Sequence, residues 1–490
     1  MNRIIYLVGS VIFILMLACS KPVEIVKTNN ELPPIYPDYI GVTIPSNIAP
    51  LNFKLIDDTN KAQAAIIETD SIKFEVHARD GQFQIPEFKW KELLKASIGD
   101  EFVVTVCIQE EIGWTAYTPF KIKVAKETVD PYLVYRLIEP GYEIWNEMGI
   151  YQRNLENFTQ TAILENKTVG GDCMNCHSFR MQDPDQMMMH IRGVNAATMV
   201  IIDGKVEKLN TKTKDTMSAL VYPSWHPSGR FIAFSVNNTK QDFHSVNRNR
   251  IEVYDLASDV VIYDLENHEI FTTPALFSDK SFESFPSFSS DGNTLYFSTS
   301  YAHEMPNEYE KVKYSICSIS FDPETKKFGA SVDTIFNARL ENKSASFPRV
   351  SPNGKYLLYT KGDYGGFFIW HKEADLWIYN IETEKHYPLS LANSYEAESY
   401  HSWSSNSRWI VYGSRRIDGL YTRPFIAYIN DEGEAEKAFV VPQKEVEFYG
   451  YLMKSYNVPE FVKGKVKVTG YDIAHVAKTD MGFNVKFKKQ

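Results

Sequence analysis

The sequence predicts an all-β protein, and three features carry that prediction. Phe, Trp and Tyr make up 14% of the 490 residues and stand in short runs with Val, Ile and Thr, residue types that strands prefer. Gly, Pro, Asn and Asp break these runs at short intervals, while long apolar faces of helical spacing are scarce. One strand-turn-strand pattern also recurs through the second half. Because the chain is longer than a single hydrophobic core supports, we expect more than one domain.

The recurring pattern begins at Tyr222, Phe285, Phe347 and Tyr400, which are 63, 62 and 53 residues apart. Each copy has an aromatic strand, a tight turn of the Pro/Asp/Asn-Gly type and a second apolar strand, and the turn Gly accepts a positive φ. The copies resemble the WD40-like repeats of TolB-type β-propellers over roughly residues 200 to 440. This resemblance implies sheets arranged radially as blades, and it says little about function.

Two earlier segments extend the predicted ring. Residues 133–136 and 149–155 form one strand-turn-strand unit around Pro140 and Gly141. Residues 176–179 and 183–190 form another, which starts 46 residues before Tyr222. Counting both gives six blades, the number usual in TolB-type propellers. We therefore predict a six-bladed propeller over residues 127–490.

The N-terminal third has a different organisation. Residues 40–126 alternate apolar and polar residues, as in 72–76, 102–106 and 120–124, which predicts a small immunoglobulin-like β-sandwich. We expect this domain to be a spacer with Trp90 and Trp114 in its core, the alternative being glycan or protein binding. Residues 19–39, with three prolines, predict an extended tether.

The first residues predict export. Arg3 precedes an apolar run over residues 4–17, which has the length of a signal-peptide core and is too short to span a bilayer permanently. The run ends in Ala18-Cys19 and resembles a bacterial lipobox, although Met16 stands where the family usually has Leu. The resemblance implies a signal peptide over residues 1–18 and an acylated Cys19, which places the protein in the cell envelope, facing the periplasm on the outer membrane. An ordinary signal peptide with cleavage nearby is the alternative.

A C-x-x-C-H motif supplies the main functional hypothesis. Cys173 and Cys176 have the spacing of thioether attachment to a c-type haem, and His177 then ligates the iron. The alternatives are a local disulfide, two free thiols or a partial zinc site, the last lacking a second Cys/His pair. Cys107 and Cys317 are predicted to be lone buried thiols.

The sixth iron ligand is expected close to the motif. A Met ligand raises the reduction potential of a haem relative to a His ligand. For each of the methionines concerned, packing in the core is the competing interpretation, and His226, His371 and His401 are more distant candidates. The five nearby candidates are Met181, Met187, Met188, Met189 and His190.

These features together predict a membrane-anchored protein with one covalent haem c for electron transfer or redox sensing. Its partners would be a redox protein or other envelope proteins, and the net charge of −10 argues against nucleic acid. No G-x-S-x-G motif is present, and Glu396 and Glu398 are expected to be solvated instead of catalytic. Five-coordinate iron would permit a peroxidase-like role. The alternative is a haem-free propeller that binds envelope proteins, with Cys173 and Cys176 paired to each other.

Overall fold

The structure is a computed structural model that describes residues 22–56, 61–139 and 146–489, without the side chains of Cys176 and Lys489. The predicted signal peptide, the predicted lipidation site Cys19 and the predicted turn at Pro140 and Gly141 lie outside these residues. None of the described helices is long and apolar enough to cross a membrane.

The described chain is mostly β-structure, as the sequence predicted. Its N-terminal region contains a seven-stranded sheet, in which β8 is central, and a separate three-stranded sheet of β2, β4 and β7. The elements are β1 (Ile25–Thr28), β2 (Ile35–Tyr36), β3 (Thr43–Ile44), β4 (Phe53–Leu55), β5 (Gln63–Glu68), β6 (Lys73–His77), β7 (Gln82–Phe83), α1 (Glu87–Ala96), β8 (Glu101–Glu110), β9 (Gly113–Ala116) and β10 (Phe120–Val124).

Helix α1 was not anticipated from the sequence. Its buried residues Trp90, Leu93 and Leu94 lie at positions i, i+3 and i+4 and face the core of this region. The indole Nε1 of Trp90 donates a hydrogen bond to the carbonyl oxygen of Ile48 at 2.8 Å. Trp90 is therefore a core residue, which agrees with the spacer interpretation.

Six further sheets follow along the chain, and we number them 1 to 6. Sheet 1 contains β11 (Tyr132–Ile138), β12 (Gly149–Asn154) and β13 (Gln160–Glu165). Sheet 2 contains β14 (Met174–Phe179), β15 (Gln186–Ile191), β16 (Ala197–Ile202) and β17 (Lys205–Asn210). Sheet 3 contains β18 (Val221–Trp225), β19 (Phe231–Phe243), β20 (Ile251–Asp264) and β21 (Glu269–Thr272).

Sheets 4 to 6 repeat this antiparallel order of consecutive strands. Sheet 4 contains β22 (Ser281–Phe288), β23 (Thr294–Tyr301), β24 (Ser315–Asp322) and β25 (Lys327–Phe336), followed by the short helix α2 (Ala338–Glu341). Sheet 5 contains β26 (Ser344–Val350), β27 (Tyr356–Gly362), β28 (Asp375–Asn380) and β29 (Lys385–Pro388). Sheet 6 contains β30 (Glu398–Trp403), β31 (Trp409–Ser414), β32 (Arg423–Tyr428) and β33 (Phe439–Val440).

The C-terminal segment returns to the first three sheets. After α3 (Phe448–Tyr451), β34 (Ser455–Val462) pairs antiparallel with β11 of sheet 1. After α4 (Gly470–Thr479), β35 (Phe483–Asn484) and β36 (Lys486–Lys489) pair parallel with β17 and β21 at the far edges of sheets 2 and 3. The end of the chain thus ties sheets 1, 2 and 3 together.

One edge strand from each sheet contacts its counterpart in the next sheet, in the order β34, β14, β18, β22, β26 and β30, and β30 contacts β34 again. These six strands, the ring strands, therefore enclose a common space that we call the channel. Apolar side chains fill the layers between successive sheets. The N-terminal region shares a hydrophobic core with sheets 5, 6 and 1, so it packs directly against the ring.

Candidate functional site

All six ring strands are interrupted at the same place by a bulge of two residues. In five of them the first bulge residue has a positive φ, between 48° and 55°, which is rare outside glycine. In β14 the pairing breaks between Asn175 and Ser178, so Cys176 and His177 occupy the bulge. The other bulge pairs are Tyr222-Pro223, Phe285-Pro286, Phe347-Pro348, Tyr400-His401 and Val458-Pro459.

Aromatic rings from four of these bulges meet inside the channel. The ring centroids of Tyr222 and Phe285 are 4.9 Å apart, those of Phe285 and Phe347 are 4.1 Å apart, and those of Phe347 and Tyr400 are 4.9 Å apart. Such contacts stabilise the packing of large apolar side chains. The strands of sheets 1 and 2 carry Val458 and Cys176 at the same position, so they contribute no aromatic ring there.

A cavity of about 180 Å³, the channel cavity, opens beside this aromatic cluster. The residue that follows each bulge faces it, and these six residues are Ser178, Ser224, Ser287, Arg349, Ser402 and Glu460. The next residue is aromatic in most copies, and Trp225, Phe288 and Trp403 form part of the apolar wall. The cavity is therefore mainly apolar, with one basic side chain, Arg349, and one acidic side chain, Glu460.

The turn after β14 reaches across the mouth of the channel cavity. Met181 and Gln182 have φ values of 47° and 59° in this turn, and both line the cavity. The side-chain amide of Gln182 donates to the carbonyl oxygen of Trp403 in sheet 6 at 3.1 Å. Arg180 Nε donates to the carbonyl oxygen of Pro227 in sheet 3 at 2.8 Å. The turn is thus tied to sheet 6 and to sheet 3.

His177 lines the channel cavity and is only 2% exposed. Neither of its ring nitrogens has a hydrogen-bond partner among the described residues. Burial is the main cause that lowers the pKa of His177 to about 3, and the positive charge of Arg136 adds to it. Backbone groups of Val458 and Val134 raise this pKa in part, but neither lies in hydrogen-bond geometry to the ring. The ring is therefore neutral at physiological pH. A buried polar ring without partners is unusual in a folded protein, and it makes His177 a candidate to bind a ligand.

His401 occupies the equivalent bulge position in β30 and lines the same cavity, yet its ring is fully bonded. Its Nε2 lies 2.7 Å from the carbonyl oxygen of Phe347 and 3.1 Å from that of Leu358, so this nitrogen carries the proton and donates. Its Nδ1 lies 3.4 Å from Thr360 Oγ1. Burial and the charge of Arg349 lower the pKa of His401 to about 3. His401 therefore fastens sheet 6 to sheet 5 as a neutral side chain.

Arg349 and Glu460 are the charged residues of the cavity wall. Among the described residues, the guanidinium of Arg349 forms no ion pair with a carboxylate, and the one hydrogen bond that it donates runs from Nη1 to the carbonyl oxygen of Pro348 at 2.9 Å. Glu460 accepts a hydrogen bond from the backbone N–H of Phe179 at 3.1 Å. Burial raises the pKa of Glu460 to about 8, although this N–H and the charge of Arg349 act in the opposite direction. Glu460 is therefore largely protonated at neutral pH.

Sequence reasoning missed both residues, although a signal was present. The residue after the bulge is Ser in four of the six ring strands, and Arg349 and Glu460 are the two departures from that pattern. In the repeat segments that begin at Tyr222, Phe285, Phe347 and Tyr400, Arg349 stands where the other three copies have Ser. Glu460 lies in β34, which the sequence did not predict.

Cys173, the first cysteine of the C-x-x-C-H motif, lies in different surroundings from His177. Cys173 is a half-buried free thiol that packs against the core between sheets 1 and 2 and does not line the cavity. The backbone of Cys176 lies in the bulge of β14. The structure thus places the motif in an extended strand at the channel.

Of the five candidate sixth ligands, Met181 alone shares the channel cavity with His177. Met187 and Met189 are fully buried between sheets 1 and 2, and Met188 is buried between sheets 2 and 3. His190 is 3% exposed, and its Nδ1 lies 3.1 Å from Thr198 Oγ1.

The remaining histidine candidates lie away from the cavity. The ring of His226 bonds to Ser228 and to the carbonyl oxygen of Gly292. The Nε2 of His371 lies 3.1 Å from both carboxylate oxygens of Glu252. Both rings therefore have partners within the fold.

The expectation that Glu396 and Glu398 are solvated was wrong. Glu398 is completely buried and accepts hydrogen bonds from Ser394, Ser414 and Arg416, while Glu396 is 7% exposed and pairs with Lys372 at 3.0 Å. These partners compensate for the loss of hydration. Cys107 and Cys317 are free and buried, as predicted, and burial raises the pKa of each thiol to about 11.

No family model and no curated protein matches this sequence. Among solved structures, the chain is similar to a puromycin-hydrolysing peptidase from Mycobacterium tuberculosis, at 11% identity and a TM-score of 0.36, over 71% of this chain and 52% of the peptidase. It is similar to the tricorn protease at 10% identity and a TM-score of 0.34, over 81% of this chain and 43% of the protease. It is also similar to the β-propeller domain of the Trilobed protease from Pyrococcus furiosus, at 12% identity and a TM-score of 0.33, over 63% of this chain and 82% of that domain. The chain spans about half the length of the two full peptidases.

Proposed function

We propose that residues 127–490 form a six-bladed β-propeller of the TolB type and that residues 40–126 form an immunoglobulin-like spacer. Three observations support the propeller: six consecutive sheets, the closed circle of contacts between the ring strands, and the bulge at one position in all six. In this architecture the C-terminal strand β34 completes the first blade, which locks the two ends of the ring together.

We propose that the propeller carries one covalent haem c at Cys173, Cys176 and His177, for electron transfer or redox sensing. The observation that supports it best is the state of His177: a buried, neutral imidazole with two unpaired nitrogens, at a cavity, directly after the second Cys of the motif. His401, at the same repeat position outside such a motif, is fully bonded. When bound, the haem would supply one-electron chemistry.

The donors around the motif fit a c-type haem in chemistry: a free thiol at Cys173, the unpaired imidazole of His177 and the thioether of Met181 on the same cavity. These donors are not yet arranged around one haem, because Cys173 faces the core between sheets 1 and 2 while His177 faces the channel cavity. The cavity of about 180 Å³ is also smaller than the roughly 300 to 1,000 Å³ typical of pockets for larger ligands. Attachment therefore requires residues 173–177 to rearrange. Met181 is the sixth ligand that this cavity favours.

The cellular setting belongs to the same proposal. Acylation of Cys19 would hold the protein on the envelope membrane. The expectation of an extended tether over residues 19–39 was wrong from β1 onward, because β1 and β2 pair with β9 and β4 of the N-terminal region, so only residues before β1 could serve as a tether. A redox protein of the envelope is the partner that such a site would serve.

A haem-stained denaturing gel tests the attachment, using protein made together with the cytochrome c maturation machinery. We expect covalent haem in the wild type, at most a single-thioether haem in Cys173→Ser and Cys176→Ser, and an unchanged level in the control Cys317→Ser, whose thiol lies in another sheet. Absence of covalent haem from the wild type would overturn the proposal. The haem-free propeller that binds envelope proteins would then be the better interpretation.

A further inference from the structure

The channel cavity has a second chemical feature that the haem proposal does not use. At the position after the bulge, Arg349 replaces the Ser found in four other ring strands, so a guanidinium faces a wall built otherwise from small polar and aromatic groups. Its charge is not neutralised by an ion pair with any described carboxylate. An arginine with donors directed at a cavity is suited to bind an anion, above all the planar carboxylate group.

The backbone around Arg349 is held firmly. Trp403 Nε1 donates to the carbonyl oxygen of Arg349 at 3.0 Å, and His401 Nε2 donates to that of Phe347 two residues earlier at 2.7 Å. Both donors come from β30, the neighbouring ring strand. The guanidinium is therefore presented from a rigid strand, which reduces the entropy lost when a ligand binds.

The rest of the cavity indicates the kind of anion. Trp225, Phe288 and Trp403 supply an apolar wall, and the volume of about 180 Å³ is slightly larger than the roughly 150 Å³ of an engineered protein cavity that binds benzene. The buried His177 adds an unpaired imidazole to the same space. A small molecule with the size of an aromatic ring and one anionic group would match the apolar wall, the imidazole of His177 and the guanidinium of Arg349.

We propose that the channel cavity binds a small monocarboxylate with an apolar, ring-sized body, and that Arg349 binds its carboxylate. Glu460 also faces the cavity and is the one acidic group of the wall, where its carboxyl can donate a hydrogen bond to the ligand when protonated. Met181 and Gln182, in the turn after β14, line the same cavity. Haem on His177 would occupy the same space, so this inference applies to the haem-free protein.

Isothermal titration calorimetry of the haem-free full chain, made without the cytochrome c maturation machinery, with benzoate tests the site. We expect saturable binding to the wild type at a ratio of one to one, and a Kd at least about tenfold higher for Arg349→Ser, since a charge-assisted hydrogen bond is lost. This substitution installs the residue that four other ring strands carry, so the strand should fold normally. Lys355→Ser removes one positive charge from an exposed turn of the same sheet and should leave the Kd unchanged.

Benzyl alcohol, similar in size but uncharged, serves as the second probe and should bind at least about tenfold more weakly than benzoate. Equal affinity of the wild type and Arg349→Ser for benzoate would overturn the assignment of Arg349, and absence of benzoate binding to the wild type at millimolar concentration would overturn the site. Because haem is detected separately by staining, either failure is distinguishable from failure of the haem proposal.

Discussion

His177 and His401 occupy the same position in two ring strands, and their surroundings are opposite. Both are buried, both line the channel cavity, and burial lowers the pKa of each to about 3. His401 uses both nitrogens to fasten sheet 6 to sheet 5, whereas His177 uses neither. A repeat position therefore does not define a role, and the hydrogen bonds around the ring separate the structural histidine from the candidate ligand.

The largest expected effect separates the two histidines by stability. His401→Ala leaves the carbonyls of Phe347 and Leu358 without their buried donor and opens a cavity, so we expect a loss of about 2 to 4 kcal/mol in the free energy of unfolding. His177→Ala removes no described hydrogen bond, so we expect a loss below about 2 kcal/mol in the haem-free protein. Urea denaturation followed by circular dichroism measures both. Equal losses of stability in His401→Ala and His177→Ala would show that the hydrogen bonds do not distinguish the two histidines.

A smaller effect concerns the ligand opposite His177. If haem is attached and Met181 is the sixth ligand, Met181→Ala should abolish the Met-to-iron charge-transfer band and lower the reduction potential, because Met ligation raises it. Met188→Leu is the matched control, since Met188 is packed between sheets 2 and 3 and should leave the band in place. Absorption spectra of the charge-transfer band and a potentiometric titration of the reduction potential measure the effect of each substitution. A band that survives in Met181→Ala but is lost in Met188→Leu would reverse the assignment.

The smallest effect concerns the wall facing Arg349. The pKa of Glu460 is raised to about 8 from an ordinary 4.5, so the folded protein holds this proton more tightly than the unfolded chain. The contribution of the protonated Glu460 to the free energy of unfolding is fully present below about pH 4.5 and is lost as the pH rises through about 8. We expect the melting temperature of the wild type to fall relative to that of Glu460→Gln between pH 5 and pH 9. Parallel pH profiles for the two proteins would show that Glu460 is not buried as an acid.

The repeat made much of this fold predictable, because each strand-turn-strand copy is local in sequence. The same alignment placed residues 176–179 at the start of a ring strand, and β14 lies there. Strands β34 to β36 were not predicted, since they pair with partners more than 200 residues away and carry no turn of the repeat. Helix α1 was missed within a region of alternating residues.

The site was less predictable than the fold. The motif identified His177, but nothing in the sequence indicates that its ring is unpaired while that of His401 is bonded. The partners of His401 come from the neighbouring sheet, which the sequence does not place. For the same reason Glu398 was expected in solvent, although Arg416 and two serines satisfy it inside the fold.

The central claim, that the unpaired ring of His177 is an iron ligand, is tested most directly by the reduced and oxidised absorption spectra of wild type, His177→Ala and His401→Gln. We expect the wild type to show a six-coordinate low-spin haem c, and His401→Gln to retain it. His177→Ala should lose covalent haem or convert to a high-spin spectrum. A His177→Ala protein whose haem spectrum matches the wild type would contradict the account.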